Sequence, residues 1–558
     1  MSDAVERIRE HVERERERFA VPGCALVVVR DGEVVLSEGF GRRNDGDPVT
    51  SRTLFPIGSS TKTFTAALCA SLVDEGLLDL DAPLRELLPG FAMQDPIADR
   101  LLSVRDCLAH RSGLPRHDLT WYAFEGRMER PALVDAIRHL PPAQPFRQTW
   151  QYNNLLYVAA GFLAGRLCGG TYEEAVRARL LDPLGMTRTS FRVADVEIDA
   201  DHSRPYVLTD EDTHVEVPYA HLDLSAPAGC INSCAEDLAP WLMTLLGLGV
   251  DGRQPLLSDE LLRQLRTPTM PLPPGSLGGG SGQVGYGLGV VLEDHRGHRV
   301  AHHGGNIDGF SSQVLVVPDA GIGVAVLTNL HATPLRDVLP LVVVDELLGL
   351  DPEPHGERRH ATWSAMREGA KQAKANEAAG AKPLPEVRPV HDFVGTYAHP
   401  GYGELVVERD GDGLRGSYGR LSGPLAHRHL DVYSLVLSVN GDELRIPVQF
   451  TADLEADVDG LRIPLEPALP PQRFERRPDT AHLTGEVLDG LAGRYALDAL
   501  TAVVSRRGEA DLLVSVAGGP PRRLTPVREL VFALDGARIE FTDDGRLVTP
   551  LGELVRRP

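Results

Sequence analysis

Lysine is nearly missing from this chain. Of its 57 basic residues only Lys62, Lys371, Lys374 and Lys382 are lysines, so the remaining 53 are arginine. Three of the four share one polar segment, EGAKQAKANEAAGAKPLPE, which leaves Lys62 isolated in a region that otherwise uses arginine. An ammonium can lose its proton when its surroundings depress its pKa, whereas a guanidinium essentially cannot. Lys62 is therefore a candidate base on composition alone.

Other absences narrow the function. The opening MSDAVERIREHVERERERF carries charge throughout and lacks the apolar stretch of about 7 to 15 residues that a secretion signal needs, which predicts a cytoplasmic location. Nor is there an uninterrupted run of about 18 apolar residues, so no membrane span is expected. A net charge of −22 repels nucleic acid and anionic lipid, and neither is expected as a partner. The six cysteines have no CxxC spacing and no histidines at ligand intervals. Reduced structural thiols, with no metal and no other cofactor, are the expectation. No serine stands in a GxSxG context, which argues against an α/β-hydrolase. What is present suits folding: 42% hydrophobic and 24% charged residues support a buried core, and 558 residues predict several domains.

The chain opens with a charged amphipathic helix and two strands, CALVVVR and EVVLSEGF, joined by the hairpin signal Asp31-Gly32. From about 60 to 200 the periodicity is mostly helical; strands return at YGLGVVLED, SQVLVVPDA and GIGVAVLTNL, and LRDVLPLVVVDELLGL reads as a closing helix. Strands at both ends around inserted helices imply one sheet built from distant segments. Residues 351–388 turn polar and read as an exposed, helix-like linker, which would make the regions on either side separable. Short alternating strands with Gly-Asp and Asn-Gly turns follow, in a barrel or sandwich pattern. Phe393-Val394-Gly395-Thr396-Tyr397 is echoed by Leu491-Ala492-Gly493-Arg494-Tyr495, which suggests two copies of one β module. The expected domains are 1–350, a linker at 351–388, and β modules at 389–478 and 484–558.

Three segments carry candidate chemistry. In FPIGSSTKTFTA, Ser59 and Lys62 stand three apart where a helix begins, hence on one face, and a neutral amine there could take the serine proton. In QYNNLLYVAAG, Tyr152 and Asn154 project from a turn before a helix; a phenol can relay protons, and the amide can fix the lysine head and hold a substrate carbonyl. In AHHGGNIDGFSSQVLVV, glycines at a strand edge admit a substrate backbone, and His303 would line the pocket. Taken singly, each segment also fits a plainer role: a serine N-cap, a packed tyrosine with a capping asparagine, a turn with a surface histidine.

Taken together, Ser59-Ser60-Thr61-Lys62, Tyr152-Asn153-Asn154 and His303-Gly304-Gly305 resemble, in order, the Ser-x-x-Lys, Tyr-x-Asn and Lys/His-x-Gly motifs of the penicillin-recognising serine hydrolases. These include class C β-lactamases, D-alanyl-D-alanine peptidases, D-aminopeptidases and esterases. The likeness extends through LAHRSGLPRHD, LLDPLGM and HGGNIDGFSS and covers roughly residues 15 to 350. It implies an α/β fold, an antiparallel sheet flanked by helices with a helical insertion, followed here by two small all-β, lipocalin-like barrels. It also implies that Ser59 is acylated while Lys62 and Tyr152 manage its proton, and that Asn154, His303, Gly305 and Asn306 bind substrate. The backbone N–H groups of Ser59 and Asn306 would form the oxyanion hole. Histidine in the third motif departs from the Lys-Thr-Gly of class C β-lactamases and points towards a peptidase or amidase acting on D-amino-acid-containing or small peptides. An acyl-transferring peptide cyclase, an esterase, a β-lactamase and a sensor that stays acylated are the alternatives. The expected partner is a small-molecule or peptide substrate, and a homo-oligomer is left open.

Several other patterns are discounted. Gly280-Ser281-Gly282-Gln283-Val284-Gly285 matches GxGxxG but follows a loop rather than a strand. His110, His117 and Asp118 read as a hydrogen-bonded loop rather than a metal site, and Tyr402 and Tyr418 as packing rather than a cavity lining.

Overall fold

The Asp31-Gly32 pair makes the hairpin its sequence predicts, with φ of 52° and 84° at the two turn residues, the double left-handed geometry that matches the twist of the flanking strands. Those strands are β1 (Gly23–Arg30) and β2 (Glu33–Gly41). The computed structural model describes residues 2–272, 282–380, 384–439, 442–454, 456–478, 480, 483–508, 511–528, 530–535, 537–542 and 544–557. Gly280 and Ser281 of the discounted glycine motif, and the expected Asn440-Gly441 turn, lie outside these residues.

Five further strands complete the sheet: β3 (Gln283–Tyr286), β4 (Val291–His295), β5 (His298–Ile307), β6 (Phe310–Val317) and β7 (Ile322–Thr328). The order is β2-β1-β7-β6-β5-β4-β3, and each neighbouring pair is antiparallel. Strand β1 is buried on both faces, and its side chains divide with period two. Ala25, Val27 and Val29 join the core shared with the helical lobe. Cys24, Leu26 and Val28 face a second core with Ile8 and Val12 of α1 (Ser2–Arg18). The helices inserted between β2 and β3 include α2 (Thr61–Asp74), α3 (Leu119–Phe124), α4 (Asn154–Leu167) and α5 (Ala235–Leu246); α6 (Leu335–Leu348) follows β7. The polar stretch expected to be helix-like carries α7 (His355–Gly380).

Beyond it stand two closed eight-stranded barrels, one running from Gly395–His399 to Gln472–Arg476, the other from Gly493–Leu497 to Gly552–Arg557. The repeated pentads open them in the same way. Tyr397 Oη donates to Phe393 O and Tyr495 Oη to Leu491 O, each at 2.8 Å, while Arg476 and Arg556 donate to the carbonyls of Val394 and Ala492. The two barrels differ in their attachment. Tyr397, Leu405 and Phe474 of the first belong to one continuous apolar cluster with Tyr122, Phe124 and Leu140 of the helical lobe. The second barrel has a core of its own around Tyr495, Phe532 and Phe541.

Candidate active site

Ser59 lies in a single 3-10 turn, Gly58–Ser60, and Lys62 is the second residue of α2, so one continuous turn places both. The turn is fixed on both sides. Ile57 N–H donates to Ile231 O at 2.9 Å and Ile231 N–H to Thr61 Oγ1 at 3.1 Å. Below it, Trp241 stacks on Phe64 at 3.8 Å and donates to Thr63. Ser60 is wholly buried and serves the scaffold: its hydroxyl meets His303 O at 3.0 Å and Ser312 Oγ at 2.8 Å. These bonds tie the serine turn to β5.

Glycine is required where the turn meets that strand. Gly58 has φ of +51°, and a Cβ there would sit 2.9 Å from both N and O of Asn306. At Gly305 a Cβ would come within 1.9 Å of Ile57 O. Strand β4 pairs with β5 only as far as His302, so residues 303–307 lie beyond its end and pack against the serine turn instead. The Ser59 and Asn306 backbones thereby flank one space. Arg336, near the start of α6, braces this edge by donating to Gly305 O at 2.6 Å.

Lys62 is fully buried, and its Nζ lies 3.1 Å from Ser59 Oγ and 2.6 Å from Ala228 O. Burial lowers its pKa well below the ordinary value; Arg116 lowers it further, and Asp118 acts in the opposite sense. Tyr152, 7% exposed, lines the same cavity as Ser59, and the amine of Lys62 lies 4.9 Å from its ring centroid. Burial pushes its phenol up to about 12, against the lowering influence of Arg116 and Ser59. The arrangement thus pairs an amine biased towards neutrality with a phenol that keeps its proton.

Asn154 departs from expectation. The lysine head is held by the Ala228 carbonyl, whereas Asn154 Nδ2 donates to Asp118 Oδ1 at 2.8 Å. Its buried Oδ1 has no hydrogen-bond partner among the described residues. The helix cap is Asn153, which accepts from Leu156 N–H. His303 is buried as well: Nδ1 meets Gly304 O at 2.7 Å and Nε2 meets Tyr286 Oη at 3.0 Å. Burial and Lys62 hold its pKa well below the usual value. A neutral ring with Nδ1–H on the carbonyl then receives the Tyr286 hydroxyl at Nε2.

Ser59, Tyr152, His303 and Asn306 line one cavity of about 100 Å³ together with Arg116, His302, Gln313 and Arg336. A larger cleft of about 1110 Å³ lies between the barrels and holds none of these groups, so size does not locate the chemistry. Arg116 and Arg336 are missing from the sequence-based site because arginine is everywhere in this chain, and Asp118 because its segment reads only as a hydrogen-bonded loop. The Arg-His-Asp run at 116–118 reads as an ordinary loop until the fold carries it to Tyr152.

This geometry, on this sheet, defines a serine hydrolase of the β-lactamase and penicillin-binding type. The chain belongs to the Beta-lactamase family, whose model matches residues 8–347, and a domain of unknown function, DUF3471, matches 379–476. It is similar to "Unguisins hydrolase ungD'" of Aspergillus campestris, 26% identical over 87% of this chain and 95% of the relative. Penicillin-binding protein 4 of Amycolatopsis lactamdurans is 31% identical over 58% of this chain and 84% of that protein. The fold resembles the octameric penicillin-binding protein homologue from Pyrococcus abyssi, with a TM-score of 0.53, 23% identity, and coverage of 84% of this chain and all of that one. Among the described residues no helix is long and apolar enough to cross a membrane.

Proposed function

We propose that this protein is an acyl-enzyme hydrolase, a peptidase or amidase acting on D-amino-acid-containing or small peptides. The observation that carries the reading is the buried Lys62 amine 3.1 Å from the Ser59 hydroxyl, within the reach of about 2.6–3.2 Å that general-base catalysis needs. Ser59 Oγ attacks the substrate carbonyl carbon as its proton passes to Lys62. The carbonyl oxygen, now negative, rests against the N–H groups of Ser59 and Asn306. Tyr152, neutral and in the same cavity as Ser59, passes a proton to the leaving amine, the C–N bond breaks, and Lys62 replaces the proton given up. Water then attacks the ester, with the same groups acting in reverse. Asn154 Oδ1, without a partner among the described residues, is an acceptor suited to a substrate amide N–H.

The name of the Aspergillus relative, a hydrolase similar across nearly its whole length, favours hydrolysis over acyl transfer. The test is a panel of D- and L-aminoacyl amides, short peptides, nitrocefin and p-nitrophenyl esters, comparing native protein with Ser59→Ala. Turnover of D-aminoacyl amides or small peptides that vanishes in Ser59→Ala is expected. Turnover of nitrocefin alone, or an acyl adduct that persists for hours, would refute the substrate assignment.

A further inference from the structure

The first barrel touches the helical lobe through charged and polar groups that packing alone does not require. Glu466 is only 5% exposed, and its charge acts on Arg116, whose pKa it helps to raise. One oxygen accepts from Ala468 N–H at 3.0 Å within the barrel, and the other accepts from His117 N–H at 2.9 Å across the junction. His117 itself is wholly buried, with φ of +51°. A non-glycine residue in that region persists only where its surroundings over-determine it. Here they do so through five bonds: besides the backbone N–H on Glu466 and two ring contacts, the His117 carbonyl accepts from Thr120 N–H at 3.1 Å and Thr120 Oγ1 at 2.7 Å. Nε2 lies 3.2 Å from Pro141 O, an acceptor only, so Nε2 carries the proton; Nδ1 then accepts the Tyr402 hydroxyl at 2.7 Å. Burial, which lowers the His117 pKa to about 4, agrees with a neutral ring.

The residues on either side of His117 belong to the catalytic pocket. Arg116 places its guanidinium 4.8 Å from the Tyr152 ring centroid and donates to Asp118 Oδ2 at 2.5 Å. Asp118 Oδ1 holds Asn154. We infer that Glu466 and Tyr402 are positioning residues: by gripping His117, the first barrel sets the Arg116–Asp118 pair against Tyr152 and Asn154, and so completes the site. This inference rests on Ser59, Lys62 and Tyr152 acting as described above.

The consequence reaches Lys62. Besides Arg116 and Asp118, the amine is faced by Tyr152, Tyr157, His110, His303 and Cys230. Of the two charges held by the barrel, Arg116 has the larger influence and favours the neutral amine. Loosening the 116–118 segment withdraws that influence and admits water, and both effects raise the Lys62 pKa.

The test uses the full chain and a fluorophosphonate probe, with labelling rates followed against pH for native protein, Tyr402→Phe, Glu466→Gln and Ser59→Ala. Tyr402→Phe removes one hydroxyl and keeps the ring, so it is the variant least able to disturb folding. Both barrel variants are expected to label at Ser59 at least about tenfold more slowly at neutral pH, on the scale of small misplacements in an active site, and with the acidic limb displaced to higher pH. Rates and midpoints equal to native in both variants overturn the positioning role. A rate reduced only in proportion to unfolded protein, with the midpoint unmoved, overturns it as well. Labelling that persists in Ser59→Ala overturns the nucleophile assignment instead, which separates the two failures.

Discussion

Replacing Lys62 by arginine retains the positive charge and discards the one property that singles this lysine out. Among the described residues no carboxylate pairs with Lys62; its Nζ meets a hydroxyl at 3.1 Å and a carbonyl at 2.6 Å. A charge-pairing role would tolerate arginine, whereas a proton acceptor must be neutral in a useful fraction of molecules, which arginine cannot be. Loss of a general base slows a reaction by about 10²–10⁴-fold, or about 2.7–5.5 kcal/mol of barrier. Single-turnover acylation of Lys62→Arg is therefore expected to fall at least about a hundredfold. Lys62→Met should fall as far, and comparing the two isolates the proton from the charge. Stability runs the other way. Because the folded pKa of Lys62 is depressed, the unfolded chain binds more protons between that value and the free lysine value of about 10.4, and native stability rises with pH across this window. Lys62→Met removes the penalty, so its melting temperature should exceed native at pH 7, with the margin narrowing as pH approaches about 10. Lys62→Arg, which forces a charge into a buried site beside Arg116, should melt lower. Acylation of Lys62→Arg within tenfold of native would refute the base role and transfer it to Tyr152.

Ser60→Ala should retain covalent labelling at Ser59, since its hydroxyl faces His303 O and Ser312 rather than the cavity; the loss should appear as about 1–3 kcal/mol of stability in denaturant unfolding. A stop after residue 388 is expected to give a poorly soluble product, because it exposes the Tyr122, Phe124 and Leu140 surface that the first barrel covers. A stop after residue 477 removes a barrel with a separate core and should leave a cooperatively melting, active protein. Asp345 accepts from His295 at 2.6 Å and from His355 and Arg296 at 2.8 Å. Burial alone would raise its pKa, but these donors outweigh burial and hold the carboxyl well below its usual range. Its contribution is thus fully present above the unfolded value of about 3.9 and is lost as pH falls towards the folded one. Asp345→Asn should cost about 2 kcal/mol at pH 7, with the difference from native persisting at pH 5 and shrinking below about pH 4; a difference independent of pH would count against these bonds.

Local patterns were legible in the sequence because they are local. The apolar run CALVVVR specified a strand, Asp31-Gly32 specified its turn, and the Phe-Val-Gly-Thr-Tyr echo marked two β modules, since each rests on contacts a few residues apart. Ser59 and Lys62 were readable as a pair because a single turn of chain fixes their spacing. Tertiary structure decided what holds the pair. The Ala228 carbonyl, not Asn154, anchors the amine, and a carbonyl leaves no mark in the sequence, as every residue has one. Arg116 and Asp118 became part of the site only through a loop held by Glu466, some 349 positions away along the chain. A contact of that separation depends on how two independently patterned units pack against each other, and neither pattern carries the information by itself.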